Sequence, residues 1–134
     1  MTDTELIRLA SEARNYSYCP YSEISVGAAL LSSDGKVYTG ANIENASFTP
    51  TVCAERVALF SAVKDGCRNF SAIAIVGGRA GEPPQKLFSP CGVCRQALSE
   101  FSDGNMRIIM TDGKSVKVRT LAELFPLGFS SDSF

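Results

Sequence analysis

The run "SAIAIVGG" at 71–78 constrains this chain more than any other segment. It is short, apolar and rich in β-branched residues, and segments of helical character flank it on both sides. Such a run reads as a strand buried inside a sheet whose two faces are covered. The strand-then-helix steps across 71–102 favour parallel pairing there, because parallel neighbours need a crossover connection.

The remaining segments fit around that strand. "MTDTELIRLASEARN" has apolar residues at helical spacing and reads as an amphipathic helix capped near Thr2 or Asp3. "YSYCPYSE" (16–23) is a loop punctuated by Pro20. "ISVGAALLS" and "KVYTGANI" are two strands flanking a hairpin turn at Asp34-Gly35. "CAERVALFSAVKDG" is a helix closed by Gly66, and "SPCGVCRQALSEF" is a second helix with Ser89 as N-cap and Pro90 at its first position. "MRIIMT" and "SVKVRT" are strands around Asp112-Gly113, and "LAELF" is a short helix. The expected fold is a three-layer α/β/α domain with a mixed central sheet of about five strands. With no repeat and no linker, 1–134 reads as one unit.

The chain has five cysteines (19, 53, 67, 91 and 94) and no histidine. An odd count fits a disulfide framework poorly, so metal binding is the better account of some of them. The N-terminus is too charged for a secretory signal, and no apolar run approaches the length of a membrane span. The expected location is therefore the cytoplasm, where thiols stay reduced. A formal net charge of −1 leaves no electrostatic footprint for a polynucleotide.

"PCGVC" (90–94) sets two thiols three positions apart at a helix start, so both sulfurs can meet one ion. Alone, a C-x-x-C pair also fits a redox couple or half of a structural zinc knot. Cys53, at the start of the other helix, is the natural third ligand, and three protein ligands leave a coordination position open for water. Three thiolates and Zn²⁺ sum to −1, an excess that two helix N-termini and Arg56 can offset. Glu55 lies in the same first turn as Cys53 and can serve as the proton carrier that histidine would otherwise be. A carboxylate near a helix start is by itself common, because the helix dipole favours it there.

"CAER" followed by "PCGVC" resembles the C-x-E…P-C-x-x-C signature of the zinc nucleobase deaminases. The likeness extends through "CPYSEISVGAALLSSDGKVYTGANIENASF" and "ELFPLGFSSD" to nearly the whole chain, which is similar to the small homotetrameric cytidine deaminases. That resemblance implies one Zn²⁺ per subunit on Cys53, Cys91 and Cys94, with Glu55 shuttling protons. It implies hydrolysis of cytidine and 2′-deoxycytidine to the uridine products and ammonia, as in pyrimidine salvage. Asn42 and Glu44 of "NIEN" would hydrogen-bond the ribose, and the Ala54 N–H would contact the pyrimidine carbonyl. The Ser89 backbone would handle the leaving amino group, while Phe48 and Phe129 would line pockets shared between subunits of a homotetramer. Ile24 stands where the family often has a phenylalanine beside the pyrimidine, and Ala41 where many relatives have a cysteine.

Three other readings stay open on sequence. A deaminase of this fold could act on an aminonucleoside antibiotic or a free base. An editing enzyme acting on nucleic acid is disfavoured by the neutral charge. A non-catalytic zinc-stabilised domain would need a fourth protein ligand, Cys19 or Cys67.

Overall fold

Thr2 caps the first helix, α1 (Asp3–Ala13), in the computed structural model of the chain, which describes Met1–Phe134. Its hydroxyl accepts from the Glu5 N–H while the Glu5 carboxylate accepts from the Thr2 N–H, a reciprocal capping box. A single 3₁₀ turn, Arg14–Tyr16, follows. The strands are β1 (Ile24–Ser32), β2 (Val37–Ala41), β3 (Phe70–Arg79), β4 (Arg107–Thr111) and β5 (Val116–Thr120). The other helices are α2 (Ala54–Lys64), α3 (Gly92–Ser99) and the short α4 (Leu121–Leu124).

One sheet holds all five strands in the order β2-β1-β3-β4-β5. Only β3 and β4 pair in parallel, with Ala72 opposite Arg107 and Ile75 opposite Met110; the other neighbours are antiparallel. The crossover between the parallel strands is α3, as the helix–strand order of the sequence requires. Asp34-Gly35 and Asp112-Gly113 turn the two hairpins.

Strand alternation sends β3 side chains to two separate cores. Ala72, Ala74 and Val76 join Leu6 and Ala10 of α1, with Ala29 and Ile109. Ile73 and Ile75 join Leu59 of α2, Leu98 of α3 and Leu121 of α4 on the opposite face. The result is the expected three layers. Each fully buried Leu or Ile contributes about 1.5–3 kcal/mol of apolar transfer.

Two glycines let the helices seat directly on the sheet backbone. A Cβ on Gly27 would lie 1.9 Å from the Ala10 carbonyl oxygen of α1. On the other face, a Cβ on Gly40 would lie 2.4 Å from the Ala54 carbonyl oxygen and 2.5 Å from the Ala58 nitrogen of α2. Gly40 therefore sets the depth of the α2 N-terminal turn, which carries the site. No helix is long and apolar enough to cross a membrane.

One boundary differs from expectation. Ser89 is not the cap of α3 and Pro90 is not its first residue: Cys91 is the N-cap, and the helix begins at Gly92. The local preference of Ser-Pro for a helix start yields to tertiary contacts. Pro90 is buried, and its carbonyl accepts a 2.7 Å hydrogen bond from Arg95 Nε, whose Nη1 also reaches the Leu124 carbonyl at 2.5 Å.

Candidate active site

The N-termini of α2 and α3 meet at the edge where β1 begins and β2 and β3 end. Cys53 and Cys91 are their N-caps, with extended backbone (ψ 154° and 168°), and neither side chain makes a capping hydrogen bond. An N-cap is normally a residue whose oxygen accepts from the first turn. With cysteine there, both sulfurs stay free to turn toward each other.

The Cys53 and Cys91 sulfurs lie 3.7 Å apart, those of Cys91 and Cys94 3.4 Å apart, and all three fall within 4.8 Å of one another. Zinc–sulfur bonds of about 2.3 Å at tetrahedral angles put sulfurs about 3.8 Å apart. The donor set therefore fits Zn²⁺ in both chemistry and spacing. Cys19 and Cys67 lie outside the cluster, so no fourth cysteine completes it. Cys67 instead meets the Tyr38 hydroxyl at 3.3 Å.

Charge is managed locally. Hydrogen bonds from Cys94 and then Arg56 pull the Cys53 thiol down to about 5, while the Cys53 bond and burial push Cys94 up. Arg56 Nη2 lies 3.6 Å from the Cys53 sulfur, and Arg56 Nε is buried with no hydrogen-bond partner. Glu55 is 4 % exposed, and burial raises its carboxyl to about 7. A buried carboxyl beside a thiol cluster, poised near neutrality, suits proton transfer. The Ala54 N–H, at the first helical position, has no intrahelical acceptor and is free to donate.

The segment after β2 pairs with the residue before Cys53: the Ile43 N–H donates to the Val52 carbonyl (3.0 Å) and the Val52 N–H to the Ile43 carbonyl (2.9 Å). Asn42 Oδ1 accepts from Ser17 Oγ (2.6 Å) and the Val26 N–H (2.8 Å), and its Nδ2 donates to the Ile24 carbonyl (2.9 Å). Glu44 Oε1 accepts from the N–H groups of Tyr21 (2.9 Å) and Ser22 (3.2 Å), and Oε2 accepts from Ser22 Oγ (2.5 Å). Those bonds hold the Glu44 carboxyl below the usual carboxylate range, the Ser22 hydroxyl foremost. An amide nitrogen has two hydrogens and a carboxylate about four acceptor positions. One donor on Asn42 and one acceptor position on Glu44 therefore remain.

A shallow cavity joins Glu44 and Phe48 to Tyr21, Ser22, Asn45 and Thr51. Tyr21 and Ser22 had no predicted role; "PYSE" read as a loop and as part of the family resemblance. Ile24 is half-buried at the head of β1, and Ser89 is exposed one residue before Pro90. Phe48 is 83 % exposed. Phe129 is also largely exposed; its ring stacks on Phe134 (6.0 Å between centroids), and its carbonyl accepts from Gln96 of α3.

Comparison with known proteins agrees with this arrangement. The family model of the cytidine and deoxycytidylate deaminase zinc-binding region matches residues 1–110. The chain is 45 % identical to a cytidine deaminase of Sporosarcina psychrophila, over 96 % of this chain and 91 % of that protein. It is 33 % identical to a blasticidin-S deaminase of Bacillus cereus, over 96 % of this chain and 92 % of that one. The crystal structure of a cytidine deaminase from Burkholderia pseudomallei superposes with a TM-score of 0.87 at 43 % identity, covering 96 % of this chain and all of the other.

Proposed function

The chain belongs to the cytidine and deoxycytidylate deaminase family, and from that premise we propose that it hydrolyses cytidine and 2′-deoxycytidine to uridine, 2′-deoxyuridine and ammonia. The observation that carries the reading is the carboxyl of Glu55, buried in the first turn of α2 beside three sulfurs spaced for zinc.

Cys53, Cys91 and Cys94 would hold one Zn²⁺. Bound there, zinc supplies the Lewis acidity that lets water attack near neutral pH. Glu55 takes the proton released by that water and places it on ring N3, which makes C4 electrophilic. After the hydroxyl oxygen adds to C4, Glu55 takes the remaining proton from that C4 hydroxyl and delivers it to the exocyclic nitrogen; the C4=O bond forms as the C–N bond breaks, and ammonia leaves. A carboxyl held near 7 by burial can both accept and donate in one turnover. Rate acceleration arises because the carboxyl matches the tetrahedral species better than the planar substrate.

Asn42 and Glu44 hydrogen-bond the ribose, and the Ala54 N–H holds the pyrimidine carbonyl. The Ser89 backbone receives the departing amino group. Ile24 gives aliphatic packing against the base in place of an aromatic. Arg56 offsets the excess negative charge of a three-thiolate site. Phe48 and Phe129, exposed in the single chain, fit pockets shared between subunits of a homotetramer. The chain works as a single domain in the cytoplasm, on a nucleoside and not on a polynucleotide.

The test is ammonia release from cytidine, beside a Glu55→Ala variant of equal zinc content. Release by the wild type alone supports both the reaction and the shuttle. Equal turnover by the variant removes Glu55 from the mechanism. A zinc-loaded wild type inert toward cytidine and 2′-deoxycytidine but active on another amino-bearing nucleoside moves the substrate and keeps the chemistry.

A further inference from the structure

The loop between α1 and β1 grips a residue far from it in sequence. Glu44 lies beyond β2, yet every hydrogen bond made by its carboxylate comes from Tyr21 and Ser22. The two consecutive N–H groups converge on Oε1, forming a small backbone concavity of the kind that binds anions. The Ser22 hydroxyl takes Oε2.

That hydroxyl is itself fixed. Ser22 Oγ accepts a 3.0 Å hydrogen bond from the Ile24 N–H at the head of β1, which leaves its own proton to point at Glu44. The loop is closed by the Glu23 N–H on the Cys19 carbonyl and tied to the end of β3 by the Ala80 N–H on the Glu23 carbonyl. Closure holds Glu23 at φ 60°, a left-handed conformation that a non-glycine residue rarely adopts. A strained loop pinned at both ends is a stiff support for one side chain. On the other side, the Glu44 N–H donates to the Tyr18 carbonyl, so backbone and carboxylate are held independently.

We propose that Ser22 is a positioning residue for nucleoside binding: its hydroxyl, oriented by the Ile24 N–H, locks the Glu44 carboxylate so that one acceptor position on Oε2 faces a ribose hydroxyl. The proposal rests on the reading of Glu44 as a ribose-binding residue. Ser22 does not touch the reacting atoms, and its effect belongs in KM rather than kcat. Removing the hydroxyl leaves Oε2 short of a partner and frees the carboxylate to rotate about Oε1.

The experiment measures steady-state deamination of cytidine and of 2′,3′-dideoxycytidine, which lacks the 2′ and 3′ hydroxyls and keeps the 5′. The proteins are wild type, Ser22→Ala, Ser22→Thr and Glu44→Gln, matched in zinc content and folded by thermal melt. Ser22→Ala is expected to raise KM for cytidine about tenfold, the usual effect of losing a hydrogen bond to a charged group. Its penalty on dideoxycytidine is expected to shrink to about twofold or less, because the hydroxyl that Glu44 binds is absent. Ser22→Thr, which keeps the hydroxyl, restores most of the loss. An equal penalty on both substrates, or none on cytidine, overturns the proposal. If Glu44→Gln leaves the preference for cytidine over dideoxycytidine intact, the ribose role of Glu44 fails and the proposal with it, while the deaminase reading stands. A zinc-loaded wild type inert toward cytidine but active on another amino-bearing nucleoside overturns the proposal and keeps the deaminase chemistry; one inert toward every amino-bearing nucleoside overturns both.

Discussion

Arg56 stands with one nitrogen 3.6 Å from the Cys53 sulfur and another buried without a partner. Burying an unsatisfied guanidinium nitrogen is costly, so the side chain is held there by what it does for the thiolates. Arg56→Ala is expected to lower zinc affinity or turnover by about 10–100-fold, the usual range for groups that hydrogen-bond metal ligands. Transfer of zinc to a coloured chelator, timed against the wild type, measures it. Equal transfer rates would show that the thiolates need no such neighbour.

The seat of α2 on Gly40 predicts a stability loss that also reaches the metal. In Gly40→Ala the new methyl meets backbone on both near contacts, so α2 must move. Overpacking of this kind costs about 1–3 kcal/mol, and the first turn that carries Cys53 and Glu55 moves with it. Thermal melts and zinc titration should both shift. The same substitution at Gly92, where a Cβ meets nothing within 4 Å, should leave the melt unchanged.

Arg107 donates two hydrogen bonds to Asp3, at 3.0 and 2.6 Å, joining α1 to β4. The Arg107 hydrogen bonds hold the Asp3 carboxyl below its ordinary value of 3.8. A depressed folded value means the pair stabilises the protein above the unfolded value and loses that contribution as pH falls through the folded one. The pair is largely solvent-exposed, so Asp3→Asn should cost no more than about 1 kcal/mol near neutrality. The gap between the two denaturation curves should close below about pH 4, and narrow in high salt. A gap that widens on acidification would contradict the ion pair.

Asn42 and Glu44 together retain one donor and one acceptor, the complement of a single hydroxyl. The nucleoside sugar carries 2′, 3′ and 5′ hydroxyls, so if this pair binds the ribose it addresses one of the three. If the 2′ group is left unread, kcat/KM values for cytidine and 2′-deoxycytidine should agree within about threefold. A buried group left unpaired would cost far more. A discrimination of a hundredfold or more would show that the 2′ hydroxyl is bound.

What the sequence revealed and what it hid have one physical division. The α1 cap, both hairpin turns, the buried strand β3 and its parallel partner rest on local patterns, and each was legible. So were the three cysteines, because C-x-x-C spacing and helix starts are local features. The start of α3 was not, because Arg95 holds the Pro90 carbonyl and reaches across to Leu124, a contact no local signal encodes. The grip of Ser22 on Glu44 was hidden for the same reason. Bonds across long sequence separations leave no periodic trace.

Placing cysteine at both helix caps has a consequence for the life of the chain before it meets zinc. A cap hydrogen bond is worth about 1 kcal/mol, and α2 and α3 each begin without one. The newly made polypeptide is therefore softest where it will later be most exacting, and the arriving ion completes two helices at once. Metal supply then governs not only how many molecules are competent but how many escape degradation, so scarcity should thin the population rather than fill it with idle copies.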